Sequence, residues 1–73
     1  MLTNLDDILE DARQKYKMGD RISTEDMRSC LPVMKTAIKV LSCFGKEFWL
    51  AANELRIMER DFEAWIKARE ENT

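Results

Sequence analysis

The sequence contains no histidine, two cysteines, two glycines and one proline in 73 residues. Each shortage removes a class of protein. Without histidine there is no imidazole for acid–base catalysis, for haem ligation or for the usual zinc sites. Cys30 and Cys43 lie 13 positions apart and match no CxxC redox or metal spacing. They are expected as two free thiols in a reducing compartment, the alternative being a disulfide between chains. The few glycines and single proline leave little turn chemistry, which argues against an all-β fold. No GxGxxG or GxxxxGK[ST] phosphate loop is present. Uncharged apolar runs such as residues 40–45 fall far short of the roughly 20 residues a membrane helix needs. The opening Met-Leu-Thr-Asn-Leu-Asp-Asp lacks the basic segment and long apolar stretch of a signal peptide. A cytoplasmic chain without a membrane segment is therefore expected.

What is present points to a single helical domain. The chain is 45% hydrophobic and 36% charged, with 12 basic and 14 acidic residues and a net charge of −2. That is a globular profile, not that of a nucleic-acid-coating protein. Thr3 or Asn4 is a good helix N-cap, and Asp6, Asp7 and Glu10 sit where the helix dipole favours acids. Leu5, Ile8, Leu9, Ala12 and Tyr16 form one apolar stripe, and Gly19 after Met18 is a natural stop. The spacing predicts a helix over 4–18 and a turn over 19–23. Ser23-Thr24-Glu25-Asp26 has the form of a capping box that starts the next helix.

From Met27 onward, alternating steps of three and four land on Met27, Cys30, Met34, Ala37, Leu41, Phe44, Phe48, Ala51, Leu55, Met58, Phe62 and Trp65. All are apolar. At this composition chance gives such a run about once in 10⁴ trials, so the period and not the composition makes the stripe. It is the a/d seam of a heptad repeat. Leu31, Ile38, Ala52 and Ile66 widen it to the breadth of a bundle helix. Pro32 falls at an outer position and Gly45 costs about 1 kcal/mol within a helix. The phase nevertheless passes through both, and a helix reversal normally needs 2–8 loop residues. One long helix over 24–70, with a bend at Pro32 or Gly45, is the expectation.

Such a helix is about 69 Å long, whereas a compact chain of this size is about 30 Å across. The first helix can fold back over only the part near Met27 to Ala37. Leu41, Phe44, Phe48, Ala51, Leu55, Met58, Phe62 and Trp65 are then left without a partner, and a second copy would supply one. The expected fold is all-α: a short N-terminal helix folded back on one long heptad-patterned helix, forming a homodimeric helical bundle. Helices of either parallel or antiparallel sense fit the pattern. If Gly45 breaks the helix, segments near 24–43 and 46–70 instead fold with the first helix as a monomeric three-helix bundle.

Three further groups of residues bear on function. Asp6, Asp7, Glu10 and Asp11 form a carboxylate cluster, but the dipole of a first helical turn already accounts for it. Arg28, Lys35, Lys39, Lys46, Arg56 and Arg60, with Lys67, fall opposite the seam as a basic strip. It is either a solvated helix back or a track for phosphates or an acidic protein. Trp49, Leu50 and Ile57 lie off the seam and are the candidate partner surface, either for the other subunit's first helix or for a partner peptide. No cofactor or metal is expected. Nothing here makes a nucleophile, so the chain reads as a non-enzyme.

The acidic opening helix Leu5-Asp6-Asp7-Ile8-Leu9-Glu10, the bare turn at Gly19-Asp20 and a long helix rich in Met, Phe and Trp are similar in kind to the small early accessory proteins of temperate, lambda-like bacteriophages. That resemblance implies a dimeric regulatory protein acting on a host factor through protein contacts. The residues themselves point to a homodimeric protein-interaction module. A nucleic-acid accessory protein using the basic strip is the alternative.

Overall fold

The computed structural model describes residues 5–71 and is a three-helix bundle. Helix α1 covers Leu5–Met18, α2 covers Thr24–Phe44 and α3 covers Trp49–Glu71. Short 3-10 turns at Gly19–Arg21 and Lys46–Phe48 connect them. The first helix and its stop agree with the sequence reading. Thr3 and Asn4, read as its cap, lie outside the described residues. Gly19 takes φ +56°, the left-handed conformation that closes a helix end. Ser23 caps α2 as the capping-box pattern requires: its backbone is extended, and its hydroxyl accepts from the Asp26 N–H at 3.1 Å. Pro32 sits inside α2 on an exposed face and does not end it.

The single helix expected over 24–70 is in fact two helices, and Gly45 is where they part. Its φ of +112° and ψ of −172° lie in a region essentially closed to residues with a Cβ. A 3-10 turn follows at once, closed by the Phe48 N–H donating to the Gly45 carbonyl at 3.2 Å. A reversal this short is possible because Lys46–Phe48, the connection itself, are helical in kind. The heptad count runs on through residues that serve as the connection.

The reversal lays α3 antiparallel on α2, and the seam closes on itself. Met27, Cys30, Met34, Ala37 and Leu41 of α2 are buried with Ala52, Leu55, Met58, Phe62 and Ile66 of α3. Ala12 of α1 and Ile22 complete that core, flanked by half-buried Leu5, Ile8, Leu9, Tyr16, Leu31, Ile38, Ala51 and Trp65. Burial of each large side chain contributes about 1.5–3 kcal/mol. No polar or charged residue among the described residues is buried. Cross-helix pairs set one register: Arg28 Nη2 with Glu70, Ser42 Oγ with Arg56 Nη2, and Lys35 Nζ with Glu63 at 4.0 Å.

Helix α1 is the short member. Its 14 residues span about 21 Å, against about 34 Å for the 23 of α3. It shares clefts with residues from Ser29 to Val40 of α2, and reaches Glu54, Asp61 and Trp65 on α3. Among the described residues, the end of the α2–α3 hairpin beyond these points has two layers where the rest has three.

Two side chains set opposite stability terms. Arg69, in the last turns of α3, clamps the α1–α2 connection. It donates to the carbonyls of Ile22 at 2.7 Å and Asp20 at 3.3 Å, and to Thr24 Oγ1 at 3.2 Å. The Glu59 Oε2 atom, by contrast, is buried with no hydrogen-bond partner. Arg69→Met is expected to lower stability by about 1–3 kcal/mol, and Glu59→Met to raise it by about 1 kcal/mol. Urea midpoints of the two variants, measured with unchanged denaturant slopes, check both signs.

Candidate interaction surface

Large exposed apolar side chains among the described residues are Met18, Val33, Phe44, Phe48, Trp49, Leu50 and Ile57. Four of these seven, Phe44, Phe48, Trp49 and Leu50, fall between positions 44 and 50 at the turn end of the hairpin, while Ile57 lies further along α3 beside α1. Leu50 is 82% exposed, Trp49 63% and Phe44 54%. Phe44, from the last turn of α2, and Phe48, from the turn, pack ring on ring with centroids 5.5 Å apart. Along α3, Trp49 with Arg56 and Leu50 with Ile57 are seven residues apart and lie on neighbouring ridges of the outer face. The surface therefore wraps from the Phe44–Phe48 pair around the turn onto α3.

Its electrostatics are one-sided at the Trp49 flank. Trp49, Lys46, Arg56, Ser42 and Gly45 line a shallow cleft of ≈ 600 Å³ with no carboxylate among them. Arg56 is oriented by hydrogen bonds to Asn53 Oδ1 and Ser42 Oγ, each 3.2 Å. Lys39 and Lys46 are exposed and make no ion pair with any described residue. A cationic cleft beside an indole suits a partner that carries carboxylates next to apolar side chains.

The residues singled out from the sequence divide in the structure. Of the expected subunit interface, Leu41, Leu55, Met58 and Phe62 are buried inside one chain, so they are core and not an outer surface. Ala51 and Trp65 are half-buried against the same core, Trp65 stacked on Tyr16 with ring centroids 5.4 Å apart. Only Phe44 and Phe48 of that set are exposed. The physical reason is the reversal at Gly45, which supplies from within the chain the partner that a straight helix would need from outside. Trp49, Leu50 and Ile57 lie on the surface, Ile57 facing a second cleft with Arg13, Tyr16, Lys17 and Glu54.

The basic strip does not run as one face. Arg28 and Lys35 meet Glu70 and Glu63 of α3, and Arg60 sits 3.9 Å from Asp61. Antiparallel packing brings the acids of the second half of the chain alongside the bases of the first. Lys39, Lys46 and Arg56, near the turn, remain as the positive group.

Cys30 is buried and Cys43 exposed, both as free thiols. No cluster of metal-ligating side chains occurs among the described residues, and no described helix is long and apolar enough to cross a membrane. Sequence reading missed the cleft because Ser42 and Gly45 carry no chemical signal of their own. It missed two α1–α3 links as well, since both span more than forty residues. Arg13 Nη2 donates to Glu54 Oε1 at 2.7 Å and holds that carboxyl below its usual range, against a smaller opposing effect of burial. The Tyr16 hydroxyl donates to Asp61 Oδ2.

The Tyr16 link makes a pH prediction. Donation to Asp61, with burial adding to it, raises the phenol above its ordinary value of 10.0. A raised folded value means the contribution is complete below about pH 10 and is lost as pH rises through the raised value. Tyr16→Phe is expected to cost about 1 kcal/mol at pH 7. The gap to the native chain should close on the alkaline side, which denaturation midpoints between pH 8 and 12 will show. Tyr16 is the only tyrosine, so the difference between the two proteins isolates it.

Comparisons with protein families, curated proteins and solved structures show no family model, relative or structural neighbour that matches this chain.

Proposed function

We propose that this chain is a non-enzymatic protein-interaction module that docks a partner segment on the end of its α2–α3 hairpin. The observation that carries this reading is the concentration of exposed apolar side chains at 44–50, at the turn end of the hairpin, beyond the Glu54 that α1 reaches. A contiguous apolar surface on a small chain marks an interaction site when polar groups rim it. On the Trp49 flank the rim carries Lys39, Lys46 and Arg56, with Glu47 the one acid of the turn. The partner chemistry that fits is a short amphipathic segment with acidic residues beside its apolar anchors, seated by Trp49 and Leu50. Of the phage-accessory resemblance, this reading uses only regulation through protein contacts.

An unbiased displayed-peptide selection against the folded chain tests it. Enriched peptides should combine apolar and acidic residues at helical spacing. Their binding should fall at least tenfold with Trp49→Ser plus Leu50→Ser, while stability changes by no more than about 0.5 kcal/mol because both side chains are exposed. Lys46→Glu should weaken the same peptides, chiefly at low salt. Selection of no peptides, or of peptides indifferent to Trp49 and Leu50, would count against the reading. Duplex DNA binding that falls steeply with salt and depends on Lys39 and Lys46 would favour the nucleic-acid alternative.

A further inference from the structure

Phe44 and Phe48 stand in a different position from Trp49 and Leu50, because they belong to the seam. Of the seam positions from Met27 to Trp65, these two are exposed and every other is buried or half-buried. They are also the two that bracket Gly45 in the heptad count. The exposed pair is thus the direct continuation of the α2–α3 interface into the turn, interrupted by a single residue. Only Gly45 departs from helical backbone there: Phe44 ends α2, Lys46–Phe48 form a 3-10 turn, and Trp49 has φ −64° and ψ −41°.

We propose that Phe44 and Phe48 form a docking surface for a second copy of this chain, reached by domain exchange with Gly45 as the hinge. If Gly45 takes helical angles, α2 and α3 join into one helix over residues 24–71, about 72 Å long. Each α3 then packs on the α2 of the other chain, through the contacts it now makes within its own. The cross-helix pairs fix where the two-fold axis falls. Position 28 faces 70, 35 faces 63 and 42 faces 56, a register centred on position 49. The two copies of Phe48 therefore lie beside the axis, and Phe44 and Phe48 are covered in the exchanged dimer. Exchange preserves the closed contacts and adds these rings, which is why a one-residue hinge in unbroken heptad phase favours it. Trp49 falls at the centre of that register, so exchange alters the hairpin-end surface proposed above; the peptide selection reads the closed monomer and light scattering reads the dimer, so either proposal can fail without the other.

The experiment compares the native chain with Gly45→Ala, whose methyl disfavours φ +112° and favours the helix. Nothing lies within 4 Å of the added Cβ, so packing does not obscure the backbone effect. Light scattering across a concentration series should show Gly45→Ala at twice the chain's 8.6 kDa, with a dimer dissociation constant at least tenfold below that of the native protein. Adding Phe48→Glu should return it to monomer. Spin labels replacing Lys35 and Glu63 in one chain, in a background of Cys30→Ala and Cys43→Ser and diluted into unlabelled chain, report the exchange itself. Their intrachain separation should rise from neighbouring helices to about 42 Å, the span of 28 helical residues. A folded Gly45→Ala that stays monomeric overturns the proposal, as does a dimer whose intrachain labels stay close. Should Gly45→Ala fail to fold, the labelled native chain refolded at millimolar concentration takes its place. A native chain that remains monomeric, or dimerises with the short distance, overturns the proposal equally.

Discussion

Gly45 holds φ +112° and ψ −172°, and the antiparallel packing of α2 on α3 depends on that conformation. Any other residue would meet a backbone penalty of about 1–3 kcal/mol there, a large share of the stability open to a domain of this size. With the turn made, one continuous apolar stripe becomes two facing halves. Leu41 and Leu55, 14 positions apart and on the same face of a straight helix, become parts of a single core. Among the described residues that core holds no buried polar or charged residue, and both cysteines are free.

The remaining interactions adjust this hairpin. Arg69 ties the far end of α3 to the α1–α2 turn through three hydrogen bonds, locking the order of the three helices. Arg13–Glu54 and Tyr16–Asp61 do the same for α1, with Tyr16, Phe62 and Trp65 in one three-ring cluster. The surface pairs on α2 and α3 are exposed and contribute about 0–1 kcal/mol each. Their main consequence is the cancellation of charge along most of the bundle, which leaves Lys39, Lys46 and Arg56 as a positive group near the turn.

The shortness of α1 creates the candidate surface. A third helix as long as the others would have crossed the end of the hairpin and covered Phe44 and Phe48. Because it does not, apolar side chains and unneutralised cations coincide there. Apolar anchoring and charge selection act best when adjacent, since desolvation at the anchor strengthens the neighbouring charges. The same bare end contains the hinge, so binding of a partner and exchange between copies are both readings of one local deficit.

Much of this was legible in the residues. The stripe Leu5, Ile8, Leu9, Ala12 and Tyr16 set α1; Gly19 and Ser23 set its end and the next start; the three-four spacing from Met27 named eight of the twelve buried core residues. Helical periodicity is a local property, carried by neighbours three and four apart, and needs no knowledge of the rest of the chain. That Trp49, Leu50 and Ile57 fall off the seam followed from the same count; their exposure did not. What only the tertiary structure decided was direction: whether the chain passes straight through Gly45 or turns back. Glycine permits both conformations, and the heptad phase is identical in each. The fate of Phe44 and Phe48, the neutralisation of Arg28 and Lys35 and the hold of Arg69 on Asp20 and Ile22 all depend on that choice. The ion pairs and the Arg69 clamp join residues from 28 to 49 positions apart, which no local pattern can bring together.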